Sequence, residues 1–155
     1  ENREIPPLRY ELAYRLKQDF PGLTVAVNGG IKTNAEISQH LRQADGVMIG
    51  REAYYNPWLL TSWDAAFWGD DHPIATREAV EEAMVHYMER AFAEDGCPWY
   101  AIARHMLGLY HGERGSRYWR QTWSNHQLKP LPPRQVWALA REALARGAEK
   151  PVDAH

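Results

Sequence analysis

The stretch VNGGIKTNAEISQHLRQADGVMIGREA, residues 27–53, decides how this chain is read. It joins two short apolar runs, Leu23-Thr24-Val25-Ala26-Val27 and Gly46-Val47-Met48-Ile49, and each run ends in glycine. Asn28-Gly29-Gly30 follows the first and Gly50-Arg51 the second. Unbroken apolar runs of this length suit parallel strands covered on both faces. Between them Thr33-Asn34-Ala35-Glu36 has the pattern of a capping box. It opens a helix expected to run to about Gln43, with Ile37 and Leu41 buried. Upstream, RYELAYRLKQDF, residues 9–20, predicts a helix whose apolar face carries Leu12, Leu16 and Phe20, broadened by Tyr14. Pro21-Gly22 ends it. The order helix, strand, helix, strand is that of an α/β fold.

In parallel α/β barrels ligands bind at the carboxyl ends of the strands, and a phosphate commonly sits over the last two strand-to-helix loops. Glycine there lets main-chain amides approach phosphate oxygens. A following helix start favours an anion, and an arginine adds a forked, permanently charged donor. Either glycine turn alone also fits an ordinary tight βα turn. Two successive turns with an adjacent arginine form the pattern of a phosphate cup, with Asn28, Gly29, Gly30, Gly50 and Arg51 as its candidate residues.

Beyond Arg51 the pattern changes. Asn56-Pro57 opens a short helix carrying Trp58, Leu59, Leu60 and Trp63, and Gly69-Asp70-Asp71-His72-Pro73 reads as a boundary. Four helices are expected after it: Thr76 to about Glu94, Pro98 to Tyr110, Ser116 to Ser124, and Pro132-Pro133 to about Arg146. The first is expected to bury Val80, Met84, Tyr87, Met88 and Phe92, and to leave Glu78, Glu81, Glu82 and Glu89 as a solvated face. The set reads as a small helical bundle.

At 155 residues the chain has the length of one ordinary domain or two small ones. Two strands do not bury an α/β sheet unaided, so the first part reads as the tail of a larger barrel or sheet. No apolar run approaches the roughly 18 residues of a membrane span, and the charged start Glu-Asn-Arg-Glu does not resemble a signal peptide. A cytoplasmic location is the expectation. The net charge of −2 argues against general nucleic-acid affinity, yet charge is segregated. From Asp64 to Gly96 acids outnumber bases nine to two, whereas from 104 to 129 Arg104, Arg114, Arg117, Arg120 and Lys129 face one acid, Glu113. Such segregation can build a basic patch on a neutral protein.

The single cysteine, Cys97, lies between two helix signals with no evident activating base and reads as a structural residue. His40, His72, His86, His105, His111, His126 and His155 share no ligand spacing and read as surface or capping residues, so no metal site is expected. Trp99, Tyr100, Tyr110, Tyr118, Trp119 and Trp123 interleave with bases, a pattern found on RNA-stacking surfaces. At helical spacing, packing is the favoured reading, with Tyr118 the least buried.

Three blocks in order carry a family resemblance. ENREIPPLRYELAYRLKQDFP (1–21), NGGI with DGVMIGREAYYNPWLL (28–31 and 45–60), and RHMLGLYHGERGSRYWRQTWS (104–124) resemble the carboxy-terminal part of the tRNA-dihydrouridine synthases. The resemblance is to their A-type bacterial branch, acting on D-loop uridines 20 and 20a, and it weakens after about Asn125. It implies the last strands and helices of a TIM (β/α)8 barrel followed by a small α-helical bundle. Residues 1–70 would be the end of an FMN-binding barrel, carrying strands seven and eight. Residues 73–155 would be a helical tRNA-binding domain.

The resemblance implies FMN, reduced by NADPH, passing hydride to C6 of a uridine in tRNA, with a cysteine of an earlier barrel loop protonating C5. On it Asn28, Gly29 and Gly30 match the first phosphate loop and Gly50 with Arg51 the second. Arg3 matches a tRNA contact, and Arg117 and Arg120 match arginines that orient the tRNA. From spacing alone, these last two share one helix face that could equally be solvated. The matching catalytic cysteine belongs upstream of residue 1, so no catalytic residue is assigned in this chain, and it is not expected to make dihydrouridine unaided. Two alternatives stay open: a non-catalytic RNA-binding module with structural glycine loops, and another FMN-dependent barrel oxidoreductase acting on a small molecule.

Overall fold

The computed structural model describes residues 7–149. Helix α1 (Tyr10–Asp19) leads into strand β1 (Ala26–Asn28), helix α2 (Asn34–Leu41), strand β2 (Gly46–Met48) and helix α3 (Arg51–Tyr55). The two strands pair in parallel with Val27 opposite Val47, so both run toward the same edge. The expected helix–strand alternation is present, and so is the capping box. Thr33 Oγ1 accepts from the Glu36 amide at 3.2 Å, and Glu36 Oε2 accepts from the amides of Thr33 and Lys32 at 2.9 Å. Those bonds hold the Glu36 carboxyl below its usual pKa.

Three-residue strands are too short to hold themselves together, and side chains complete the job. Asp45 Oδ2, just before β2, accepts from the Val25 amide at 2.8 Å, just before β1, and pairs with Lys17 Nζ at 2.9 Å. Lys17 also donates to the carbonyls of Pro21 and Leu23 at 2.9 and 2.8 Å. One cation thus ties the end of α1 to both strand entries. The amide and the lysine together depress the Asp45 pKa.

The face of α1 differs from the expectation. Tyr10, Ala13 and Tyr14 pack on a cluster of Val27, Ile31, Ile37 and Ala44, whereas Leu12, Leu16 and Phe20 are exposed. Helix α2 in turn buries His40 where Leu41 was expected. The His40 ring meets Tyr10 edge-on, with centroids 4.5 Å apart, and its Nδ1 lies 2.6 Å from the Tyr14 hydroxyl. Tyrosine is the side of α1 that can satisfy a buried imidazole. His40 is therefore a packed residue rather than a surface one.

After α3 the chain makes a 3₁₀ turn (Pro57–Ser62), a π turn (Asp64–Trp68) and an irregular passage over the expected boundary to α4 (Arg77–Asp95). Helices α5 (Trp99–Ala103), α6 (Ser116–Trp123) and α7 (Pro133–Glu149) follow. Helix α5 is much shorter than expected; residues 104–115 form successive turns instead. A second core gathers Val85, Met88, Trp99, Ala103, Trp119, Trp123, Val136 and Ala140. Of the interleaved aromatics, Trp99, Tyr110, Trp119 and Trp123 pack internally, as expected. Tyr100, not Tyr118, is the exposed one.

The acidic face of α4 is the largest correction. Tyr87 and Phe92 are exposed, and Glu81 is 0 % exposed. Its carboxylate accepts from Trp119 Nε1 at 2.5 Å and from the Tyr110 hydroxyl at 2.9 Å, and Arg141 Nη1 stands at 3.5 Å. Burial and the neighbouring carboxylate push the Tyr110 pKa up, so it stays a neutral donor. Arg141 also pairs with Glu78 at 2.9 Å, and Arg134 with Glu89 at 2.9 Å. Of the four acids only Glu81 leaves the solvent; Glu78 and Glu89 pair with α7 while partly or fully exposed, and Glu82 is exposed as expected. Breaking a buried, paired charge typically costs 3–5 kcal/mol. Glu81→Ala is therefore expected to lower the unfolding free energy of the intact protein by about 3–5 kcal/mol, read from urea denaturation. A loss under about 1 kcal/mol would show that water replaces the carboxylate at no cost.

Candidate cofactor and RNA site

Because β1 and β2 are parallel and in register, their carboxyl ends open on one concavity of about 630 Å³. Asn28, Gly29, Gly30, Gly50 and Arg51 all line it. The first loop is built by conformation: Gly29 and Gly30 have φ of 121° and 66°, values that side chains resist. A Cβ on Gly29 would also stand 2.9 Å from Leu8 Cδ2. These glycines are thus required by the turn and by Leu8, which lines the same concavity. The Tyr10 hydroxyl donates to the Gly29 carbonyl at 2.5 Å. In a trans peptide the next N–H points the opposite way, so this bond turns the Gly30 amide away from Tyr10.

The second loop supplies charge. Gly50 precedes α3, and the first-turn residues Arg51 and Glu52 line the concavity; amides in a first turn have no intrahelical acceptor. Among the described residues no carboxylate pairs with Arg51. Glu52 is engaged by Asn56 Nδ2 at 3.1 Å. Lys32 also lines the concavity and was missed in the sequence, although it stands only two positions after Gly30. Among the described residues two cations without an ion-pair partner stand against one acid, which suits an anion.

Two sets of candidates lie elsewhere. Arg117 and Arg120 are exposed on α6, opposite the buried Trp119 and Trp123, and among the described residues neither has an ion-pair partner. Arg3 lies outside the described residues. Cys97 is half-buried between α4 and α5, does not line the concavity, and has its Sγ 3.9 Å from the Pro98 carbonyl. Among the described residues no cluster could hold a metal ion, and no helix is long and apolar enough to cross a membrane.

The family model described as dihydrouridine synthase matches residues 1–143. The chain belongs to the dihydrouridine synthase family. A tRNA-dihydrouridine(20/20a) synthase of Salmonella typhimurium is 50 % identical over 129 residues, 83 % of this chain and 39 % of its own length. That of Pseudomonas aeruginosa is 46 % identical over 145 residues, 94 % of this chain and 43 % of its own length. That of Yersinia pestis is 46 % identical over 130 residues, 84 % and 37 % respectively. The chain spans about two fifths of the length of these curated relatives. In this dihydrouridine synthase chain the first loop is the more fragile. Gly29→Ala is expected to destabilise the protein by about 1–3 kcal/mol, read from its denaturation midpoint. Adding Leu8→Ala relieves the steric part alone; full recovery in the double variant would mean that φ is not the constraint.

Proposed function

We propose that the intact protein is an FMN-dependent, NADPH-using tRNA-dihydrouridine synthase that reduces D-loop uridines 20 and 20a in the cytoplasm. In this reading residues 1–70 are the end of a TIM barrel carrying its strands seven and eight, and residues 73–155 form the tRNA-binding domain. Family membership supports the reaction, and the relatives' names support the tRNA positions. The observation that carries the cofactor assignment is the convergence of two strand-end loops with Arg51 and Lys32 on one concavity. Its chemistry fits a phosphomonoester: amides of a glycine turn, two unpaired cations, and an acid engaged elsewhere.

Asn28, Gly29, Gly30, Gly50 and Arg51 would hold the FMN phosphate, with Lys32 as an added counter-charge. When bound, the flavin supplies hydride for C6 of the uridine. This chain's own residues bind and orient. Arg51, on the first turn of α3, fixes the phosphate end, while the Tyr10–Gly29 bond keeps the opposing loop open. No proton transfer is assigned within the chain, because Cys97 does not line the concavity. Arg117 and Arg120, on one face of α6 without internal partners, would contact tRNA phosphates.

In the intact protein Arg51→Ala is expected to weaken FMN retention about tenfold while leaving tRNA affinity intact. Equilibrium dialysis of the yellow chromophore reads the first and filter binding the second; parallel losses would undo the assignment. The Arg117→Ala/Arg120→Ala pair is expected to weaken tRNA binding and to flatten the salt slope of log K by about two. An unchanged slope would remove α6 from the RNA surface.

A further inference from the structure

A second concavity, of about 240 Å³, lies in the helical part where α5 and the end of α6 meet the turns that follow. Its walls include Trp99, Tyr100, Arg104, Trp123, His126 and Lys129, and no acid among the described residues lines it. Among the described residues no carboxylate pairs with Arg104 or Lys129. Arg104 Nε donates to His105 Nε2 at 3.0 Å, which leaves its terminal nitrogens uncommitted. Tyr100 is 38 % exposed, and the Lys129 ammonium lies 4.3 Å above its ring. Trp99 meets the same ring edge-on, and so holds it upright as a plate. In the wall beside it, the buried Trp123 indole N–H has no acceptor among the described residues.

The volume falls below the roughly 300–1,000 Å³ of pockets that enclose whole small-molecule ligands, and it suits one flat ring system. The position matters equally. Trp123 of this pocket ends α6, and Ser124 and Asn125 directly follow it; the exposed face of the same helix carries Arg117 and Arg120. A basic helix face thus runs into a basic, aromatic-walled hollow.

We propose that this hollow takes one unstacked base of the RNA, which stacks on Tyr100 while its flanking phosphates meet Arg104 and Lys129. The inference rests on the RNA-binding reading above and adds a site to it. Lys129 occupies the ring face as a stand-in. A cation on an exposed aromatic is held more weakly than a stacked base, so the arriving base displaces the ammonium toward a phosphate. An acidic peptide would satisfy the charges but has no use for the aromatic plate.

The test uses the intact protein and an unmodified tRNA transcript, with affinity measured at several salt concentrations. Tyr100→Ala is expected to weaken binding on the order of tenfold with the salt slope unchanged, since stacking releases no counterions, and Tyr100→Phe to restore it. Lys129→Ala is expected to flatten the slope by about one. Circular dichroism melts confirm that each variant folds. Wild-type affinity in Tyr100→Ala overturns the proposal while leaving the RNA reading in place. So does competition by an oligoglutamate peptide that depends on Lys129 but not on Tyr100. No tRNA binding by the unaltered protein, in contrast, sinks the RNA reading itself and this site with it.

Discussion

The candidate cofactor site depends on the parallel register of two three-residue strands, Val27 opposite Val47. Moving either strand by one residue would reverse its faces, and it would separate Asn28-Gly29-Gly30 from Gly50-Arg51. So short a ladder carries little stability of its own. The register is instead held at the strand entries, where the Asp45 carboxylate takes the Val25 amide and the Lys17 ammonium together. The ion pair is partly exposed and contributes little as a Coulomb term. Its value is geometric: it fixes the starting point of both strands, and the loops at their far ends then converge.

The helical part is organised by a different constraint, one carboxylate inside a tryptophan-rich core. Glu81 binds Trp119 and Tyr110, which come from segments 38 and 29 residues further along the chain. Arg141 adds α7 to the same point. A buried acid is a weak source of net stability, but here it draws Trp119, Tyr110 and Arg141 to one point. That fixes the orientation of α6: Trp119 must face Glu81, so Arg117 and Arg120 must face outward. The exposed basic face is a consequence of the buried acid.

Elements and punctuation were legible in the sequence, whereas partners were not. The capping box at Thr33, the glycine turns and the α4 start at Thr76 are local signals and stand where the sequence places them. Periodicity found α1 and its packed Tyr14, but Leu12, Leu16 and Phe20 are exposed and Tyr10 and Ala13 pack beside Tyr14 instead. Glu81 was hidden in an acidic run, since its burial is decided by residues distant in sequence. Lys32 was overlooked for a similar reason: only the turn at Gly29-Gly30 places it on the concavity.

The two hollows are linked through close contacts rather than through a flexible tether. Gly108 lies so near the Tyr55 carbonyl and the Pro57 ring that a Cβ would not fit; Tyr55 itself lines the strand-end concavity. Arg77 spans the same seam, donating to the Leu109 carbonyl at 2.9 Å while its guanidinium stacks 4.3 Å from the Trp58 ring. His105 completes the line. Its Nε2 lies 3.0 Å from Arg104 Nε, and its Nδ1 lies 2.9 Å from the Tyr54 hydroxyl. Arg104 belongs to the aromatic hollow, and Tyr54 sits on α3 between Arg51 and Tyr55. His105 thus stands between the two sites, with Arg104 of the aromatic hollow on one side and Tyr54 of α3 on the other.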